Sequence, residues 1–166
     1  MSGLDDPARL AAFERLDLLD GKPDAGFDRF TAEAAKLLDA PVALVSLVES
    51  HRQWFFARAA EREPFATLAE TPLSYSFCRH AVAQKAPLVI GDTREEPLVA
   101  DNPSVEEFDV LAYAGAPIIT SDDQALGTLC VMDHRPREWT AEQIELLSDL
   151  AAVVAREIEL RAKMRR

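Results

Sequence analysis

The chain has 166 residues, 48% of them hydrophobic and 28% charged; that is enough for one domain burying roughly two-thirds of its unfolded surface, and too apolar for a disordered chain. Eighteen Lys and Arg against 29 Asp and Glu leave a net charge of −11 and a pI near 4.7. Phosphate backbones and anionic lipid surfaces are held by clustered cations, so nucleic acid and membrane are excluded as partners.

The longest apolar run, 42–48, is far below the ~18 residues of a membrane span. The first nine residues are acidic and lack a signal peptide's apolar core. With two widely separated cysteines, Cys78 and Cys130, a cytoplasmic protein with both thiols reduced is expected.

Asp6-Pro7 opens the first helix: Asp caps well and Pro fits the first turn. Leu10, Phe13 and Leu16 form its apolar stripe and Gly21 is the expected stop. Asp24 caps a second helix, with Phe27, Phe30, Ala34, Leu37 and Leu38 at helical spacing, ending before Pro41. The run 42–48 is β-branched and apolar on both faces, which predicts a strand covered on both sides. Glu49-Ser50-His51 turns it into a return strand, Arg52 to Ala57. Residues 58–73 read as a charged connection. A short third helix runs from about Ser76 to Lys85, followed by a brief strand, Leu88-Val89-Ile90. The segment 92–109 carries seven acids against one Arg and reads as a loop with a short helix after Asn102-Pro103.

A second hairpin joins 111–120 to 124–132. By alternation, Leu129 and Val131 face one way and Leu126, Cys130 and Met132 the other. Pro117 cannot donate to a ladder, so it belongs at an edge or a bulge. Thr140 with Gln143 makes a capping box for a long last helix. Ile144, Leu147, Ala151, Val154 and Ile158 form one stripe on it. Leu146, Leu150, Val153 and Leu160 form a second, and two stripes imply a second surface, either the first helix or a partner chain. The basic cluster Arg161, Lys163, Arg165 and Arg166 suits a helix C-terminus. Two hairpins among helices give an α+β fold: one sheet with antiparallel pairing and helices on both faces.

Several stretches, in order, carry a family likeness: Leu16 to Leu19, Pro41 to Val48, Arg52 to Phe56, Ser76-Phe77-Cys78-Arg79-His80-Ala81-Val82, 88–93, Tyr113-Ala114-Gly115-Ala116-Pro117-Ile118 and 127–133. The chain resembles a GAF domain over nearly its whole length, of the bacterial sensory kind that precedes histidine kinase or diguanylate cyclase modules. The resemblance implies a single domain over 1–166, with an N-terminal helix within 1–20 and a signalling and dimerisation helix at 140–166. It implies a central antiparallel sheet of five to six strands, with the first, second and last helices packed on one face, while the third helix and the acidic segment cover the other and enclose a pocket. The ligand-binding wall would include Trp54, Phe56, Phe77, Cys78, His80, Asp92, Tyr113, Gly115, Cys130 and Met132. The ligand is not named by these residues, and no cofactor is implied. The partners implied are a small molecule, a second copy paired through the terminal helices, and a signalling output domain or kinase.

The expected role is a non-catalytic sensor. The alternative is a thiol-based redox sensor or reductase using Cys78, which lies in the first turn of the third helix if Ser74 or Ser76 caps it. Cys78 and His80, two apart on a helix, should not form a local dyad. Cys-x-His is not a usual zinc spacing, so no metal site is expected. Free methionine sulfoxide reductases of the family use a cysteine in the loop corresponding to 92–109, which here has none. Bilin-binding members carry Cys followed directly by His, and here Arg79 intervenes.

Overall fold

A computed structural model of the chain describes residues 3–165. Six strands form one antiparallel sheet: β1 (Val42–Val48), β2 (Arg52–Ala60), β3 (Glu70–Pro72), β4 (Leu88–Ile90), β5 (Ala112–Ile119) and β6 (Ala125–Asp133), in the order β3-β2-β1-β6-β5-β4. The helices are α1 (Pro7–Arg15), α2 (Asp28–Leu38), α3 (Cys78–Gln84), α4 (Pro103–Glu107) and α5 (Ala141–Met164). The α+β reading is borne out.

Local chemistry sets the helix boundaries. The Asp6 carboxylate accepts from Ala8 N at 3.0 Å and Pro7 fills the first position of α1. That helix stops earlier than Gly21, where Asp17 turns left-handed at φ 60°. Asp24 caps a 3-10 turn, 25–27, that leads into α2 rather than capping α2 itself. Asn102 caps α4 by accepting from Ser104 N at 2.9 Å. Thr140 and Gln143 satisfy each other's backbone amides at 3.0 and 2.9 Å, the expected capping box.

Every residue of β1 and β6 is buried, because layers cover both faces. On one face α1, the 25–27 turn, α2 and α5 pack Phe13, Phe27, Leu38, Leu147 and Val154 against Val45, Leu47, Ala116 and Leu129. On the other, α3 and the 92–110 segment pack Phe77, Val82, Val99 and Val110 against Leu44, Phe55, Tyr113 and Cys130. The two faces will be called the bundle side and the lid side.

Three details depart from the sequence reading. β2 runs on to Ala60 and pairs with β3, which Glu-Thr-Pro gives no apolar alternation to announce. The β5–β6 register jumps from Ile118↔Gly127 to Ile119↔Ala125. Leu126 is the extra residue of that bulge, so it joins Leu129 and Val131 on the bundle side rather than Cys130 and Met132. The first residues cross the end of the sheet: Leu4 packs in the lid-side core while α1 packs in the bundle. Arg9, only 3% exposed, holds that crossing. Its guanidinium donates to the carbonyls of Val48 at 2.6 Å, Leu4 at 2.9 Å and Ala125 at 3.2 Å.

Pro117 pairs with Thr128 beyond the end of β4, whose ladder stops at Gly115, so its missing amide falls where β5 has an open flank. The long α5 packs on β5, β6 and α2. Its first stripe is buried from Leu147 to Ile158 with Ile144 partly buried, whereas on the second Val153 and Leu160 remain 49% and 53% exposed. Arg161 pairs with Glu157 and Asp24, both at 3.0 Å, tying the basic end of α5 to the entry of α2. Arg166 lies outside the described residues. No helix among the described residues is long and apolar enough to cross a membrane.

Candidate functional site

The lid-side core contains a polar knot. Ser76 accepts from Arg79 N at 3.1 Å and donates to Gln53 Oε1 at 2.8 Å, which starts α3 and anchors it to β2. The next turn points Cys78 at the sheet. Its sulfur accepts from Thr128 Oγ1 at 3.0 Å and from Tyr113 Oη at 3.2 Å, and lies 4.0 Å from the sulfur of Cys130. Ser46 Oγ lies 3.9 Å from the Cys130 sulfur. Cys78 and Cys130 are free thiols and all five groups are buried.

Gly115 makes this arrangement possible. A Cβ there would overlap the Tyr113 hydroxyl and ring, so the phenol lies across the glycine to reach the sulfur. Phe77 packs on the Tyr113 ring at 5.3 Å between centroids.

The hydrogen bonds separate the two thiols electrostatically. Burial pushes Cys78 up, but the Cys130 thiol and the hydroxyls of Thr128, Tyr113 and Ser46 outweigh it and bring the pKa down from 9.0 to about 7. Cys130 moves well above its ordinary value, because its bond with Cys78 and its burial both favour the protonated form. Burial and the neighbouring sulfurs likewise keep the Tyr113 phenol protonated. The arrangement therefore contains one thiol prepared to ionise and a second that stays an S–H beside it.

The sequence-predicted residues divide into two groups. Phe77, Cys78, Tyr113, Cys130 and Met132 meet in the lid-side core, with Gly115 under Tyr113. Trp54 and Phe56 do not: Trp54 lies opposite Leu47 on the bundle side and alternation sets Phe56 on that same side, while the β-bulge at Phe56 brings Ala57 there as well. Only Phe55 of that aromatic run faces the lid. Asp92 is a surface residue that caps a 3-10 turn through Arg94 N and pairs with the Arg94 guanidinium at 2.9 Å. His80 sits half-buried on the flank of α3 with an unpartnered Nε2 and makes no hydrogen bond to Cys78. Burial and then the Arg79 charge hold its imidazole toward the neutral form. Among the described residues no group of three His, Cys, Asp or Glu is placed to hold a metal ion.

Sequence reasoning missed Ser46 and Thr128. The available signal was a hydroxyl inside a strand apolar on both faces, where a buried polar group must find a partner. The enclosed space beside the knot is small. A cavity of about 10 Å³ adjoins Cys78, bounded by Gln53, Thr71, Tyr75, Ser104 and Phe108 among others, close to the minimum for one water. The pocket expected from the resemblance is thus filled by the protein's own side chains.

Comparison with known proteins agrees with this architecture. The GAF domain family model matches residues 22–158. A cyclic di-GMP phosphodiesterase of Pseudomonas aeruginosa is 34% identical over 152 residues, covering 90% of this chain and 25% of the relative. The chain thus spans about a quarter of the curated relative it matches. The PixJ GAF domain of Thermosynechococcus elongatus, in its blue-light-absorbing form, superposes with TM-score 0.68 at 19% identity, covering 96% of this chain and 92% of that one. The GAF-B domain of DevS from Mycobacterium smegmatis gives TM-score 0.65 at 22% identity, over 84% and 95%. Sheet order, helix placement and the length of the family match lead to one assignment: this chain belongs to the GAF domain family.

Proposed function

We propose that residues 1–166 act as one non-catalytic sensory module of a bacterial signalling protein, on the cytoplasmic side, with the lid-side core as input and α5 as output. A small molecule would be received by displacing α3 and α4, since the closed interior leaves space for about one water. Two copies pair through their terminal helices, and the change in the lid reaches an output domain along α5. The Pseudomonas relative supports an output acting on cyclic di-GMP; a histidine kinase is the other output that the resemblance implies.

The observation that carries this reading is an apolar row on α5 that is uncovered from Val153 onward. Leu146, Leu150, Val153, Leu160 and Met164 follow a 4-3-7-4 spacing with Glu157 in the gap, close to a heptad seam. The last three are 49%, 53% and 76% exposed. Their neighbours Leu147, Val154 and Ile158 are buried on the sheet, so a lid movement that shifts the sheet shifts this row.

The test is the molar mass in solution of the chain and of a Val153→Glu/Leu160→Glu variant, by light scattering across a concentration series. A dimer that becomes a monomer in the variant, with unchanged far-ultraviolet circular dichroism, is the expected result. A wild-type chain that stays monomeric throughout the series overturns the pairing.

A further inference from the structure

We propose that Cys78 and Cys130 are an oxidisable pair, in which a small hydroperoxide oxidises Cys78 and Cys130 closes an internal disulfide. This goes beyond the sensory role by naming a modification site and the class of its reactant.

Geometry assigns the two roles. Cys78 borders the enclosed cavity, whereas Cys130 does not. Tyr75 and Phe108, both half-buried and tilted against each other at 5.4 Å between centroids, are among the residues that line that cavity. Cys78 is itself buried, and in the proposed reaction hydrogen peroxide enters from the side of these two rings. Two hydroxyls already donate to this sulfur, from Thr128 and Tyr113, and donors of this kind favour the thiolate, the nucleophilic form. Cys130 lies behind it, 4.0 Å away, in the rigid middle of the sheet. A disulfide needs about 2.05 Å between sulfurs, so closure draws α3 toward β6 by about the difference unless side-chain rotation supplies it.

The chemistry balances in two steps. The Cys78 thiolate attacks one peroxide oxygen; the S–O bond forms, the O–O bond breaks, and the leaving hydroxide takes up the proton that Cys78 released, giving water. The sulfur is oxidised by two electrons to a sulfenic acid and the peroxide is reduced. The Cys130 sulfur then attacks the sulfenic sulfur; the S–S bond forms, the S–O bond breaks, and hydroxide leaves with the Cys130 proton as a second water. Two equivalents of a small thiol reverse the process by exchange and restore both cysteines. Closure also removes the thiolate acceptor from Thr128 and Tyr113, which links sulfur oxidation to the packing of α3.

The experiment uses the whole reduced chain, freed of reductant, treated with hydrogen peroxide without denaturant, then measured by non-reducing intact mass and peptide mapping. The expected product is lighter by two hydrogens, carries a crosslink between the Cys78 and Cys130 peptides, and reverts with dithiothreitol. Cys130→Ser is expected to stop at a sulfenic acid that dimedone labels, and Cys78→Ser to give neither product. Oxygen addition without the crosslink, a crosslink between two chains, or reaction only once denaturant is present overturns the proposal. The wild-type mass decides this even where a serine variant fails to fold. Pairing through α5 is read from molar mass, so this chemistry and the sensory reading fail separately.

Discussion

Among single residues, Gly115 has a structural task that its type alone does not announce. It was a candidate for the pocket wall, and it instead provides the space that the Tyr113 ring occupies. Gly115→Ala is expected to cost about 1–3 kcal/mol in urea unfolding, the usual range for forcing an atom into a packed core. In a Tyr113→Leu background the same substitution should cost clearly less, because the ring that the new methyl would strike is gone. Equal costs in both backgrounds would mean that the methyl meets something else. Cys78, Tyr113 and Cys130 were recognisable from their place in the motifs. Their hydrogen-bonded partners were not, because Ser46 and Thr128 look like incidental hydroxyls until the register sets both beside sulfur. Trp54 and Phe56 were assigned to the wrong face for a similar reason: alternation says which residues share a face, but not which layer that face meets.

The elements with strong local chemistry were readable in advance. The apolar run of β1, the two hairpins and the capping box of α5 each follow from residues adjacent in sequence. Thr140→Ala should lower stability by about 1 kcal/mol, since it removes the acceptor for Gln143 N and leaves the first turn of α5 uncapped. Thr140→Ser, which keeps the hydroxyl, should lose little of that; urea midpoints of the three proteins check this, and equal losses in both variants would refute the cap. Elements governed by distant partners were less legible. β3 is three residues long and exists only because β2 offers it a ladder. The bulge at Leu126 arises where Gly127 lies so close to the Ser46 carbonyl that a side chain would overlap it.

For the molecule as a whole, the two layers are joined at one end of the sheet by a single buried cation. Arg9 donates to carbonyls from the first turn, from the end of β1 and from the start of β6. Arg9→Met is expected to destabilise the protein by roughly 2–5 kcal/mol, because it removes a buried, charged donor from three carbonyls at once. Arg9→Lys should recover only part of this, since one ammonium cannot reproduce the planar fork. Thermal or urea unfolding of the pair measures it, and a Lys variant as stable as the parent would show that charge alone suffices. The ends of the strand order have a further consequence. The outermost strands, β3 and β4, are three residues each, whereas the longer apolar strands lie inside. A second chain seeking to extend the sheet sideways finds only a short template. Self-association is therefore steered away from edge-to-edge growth, which is open-ended, toward helix faces, where two copies can close on each other and stop.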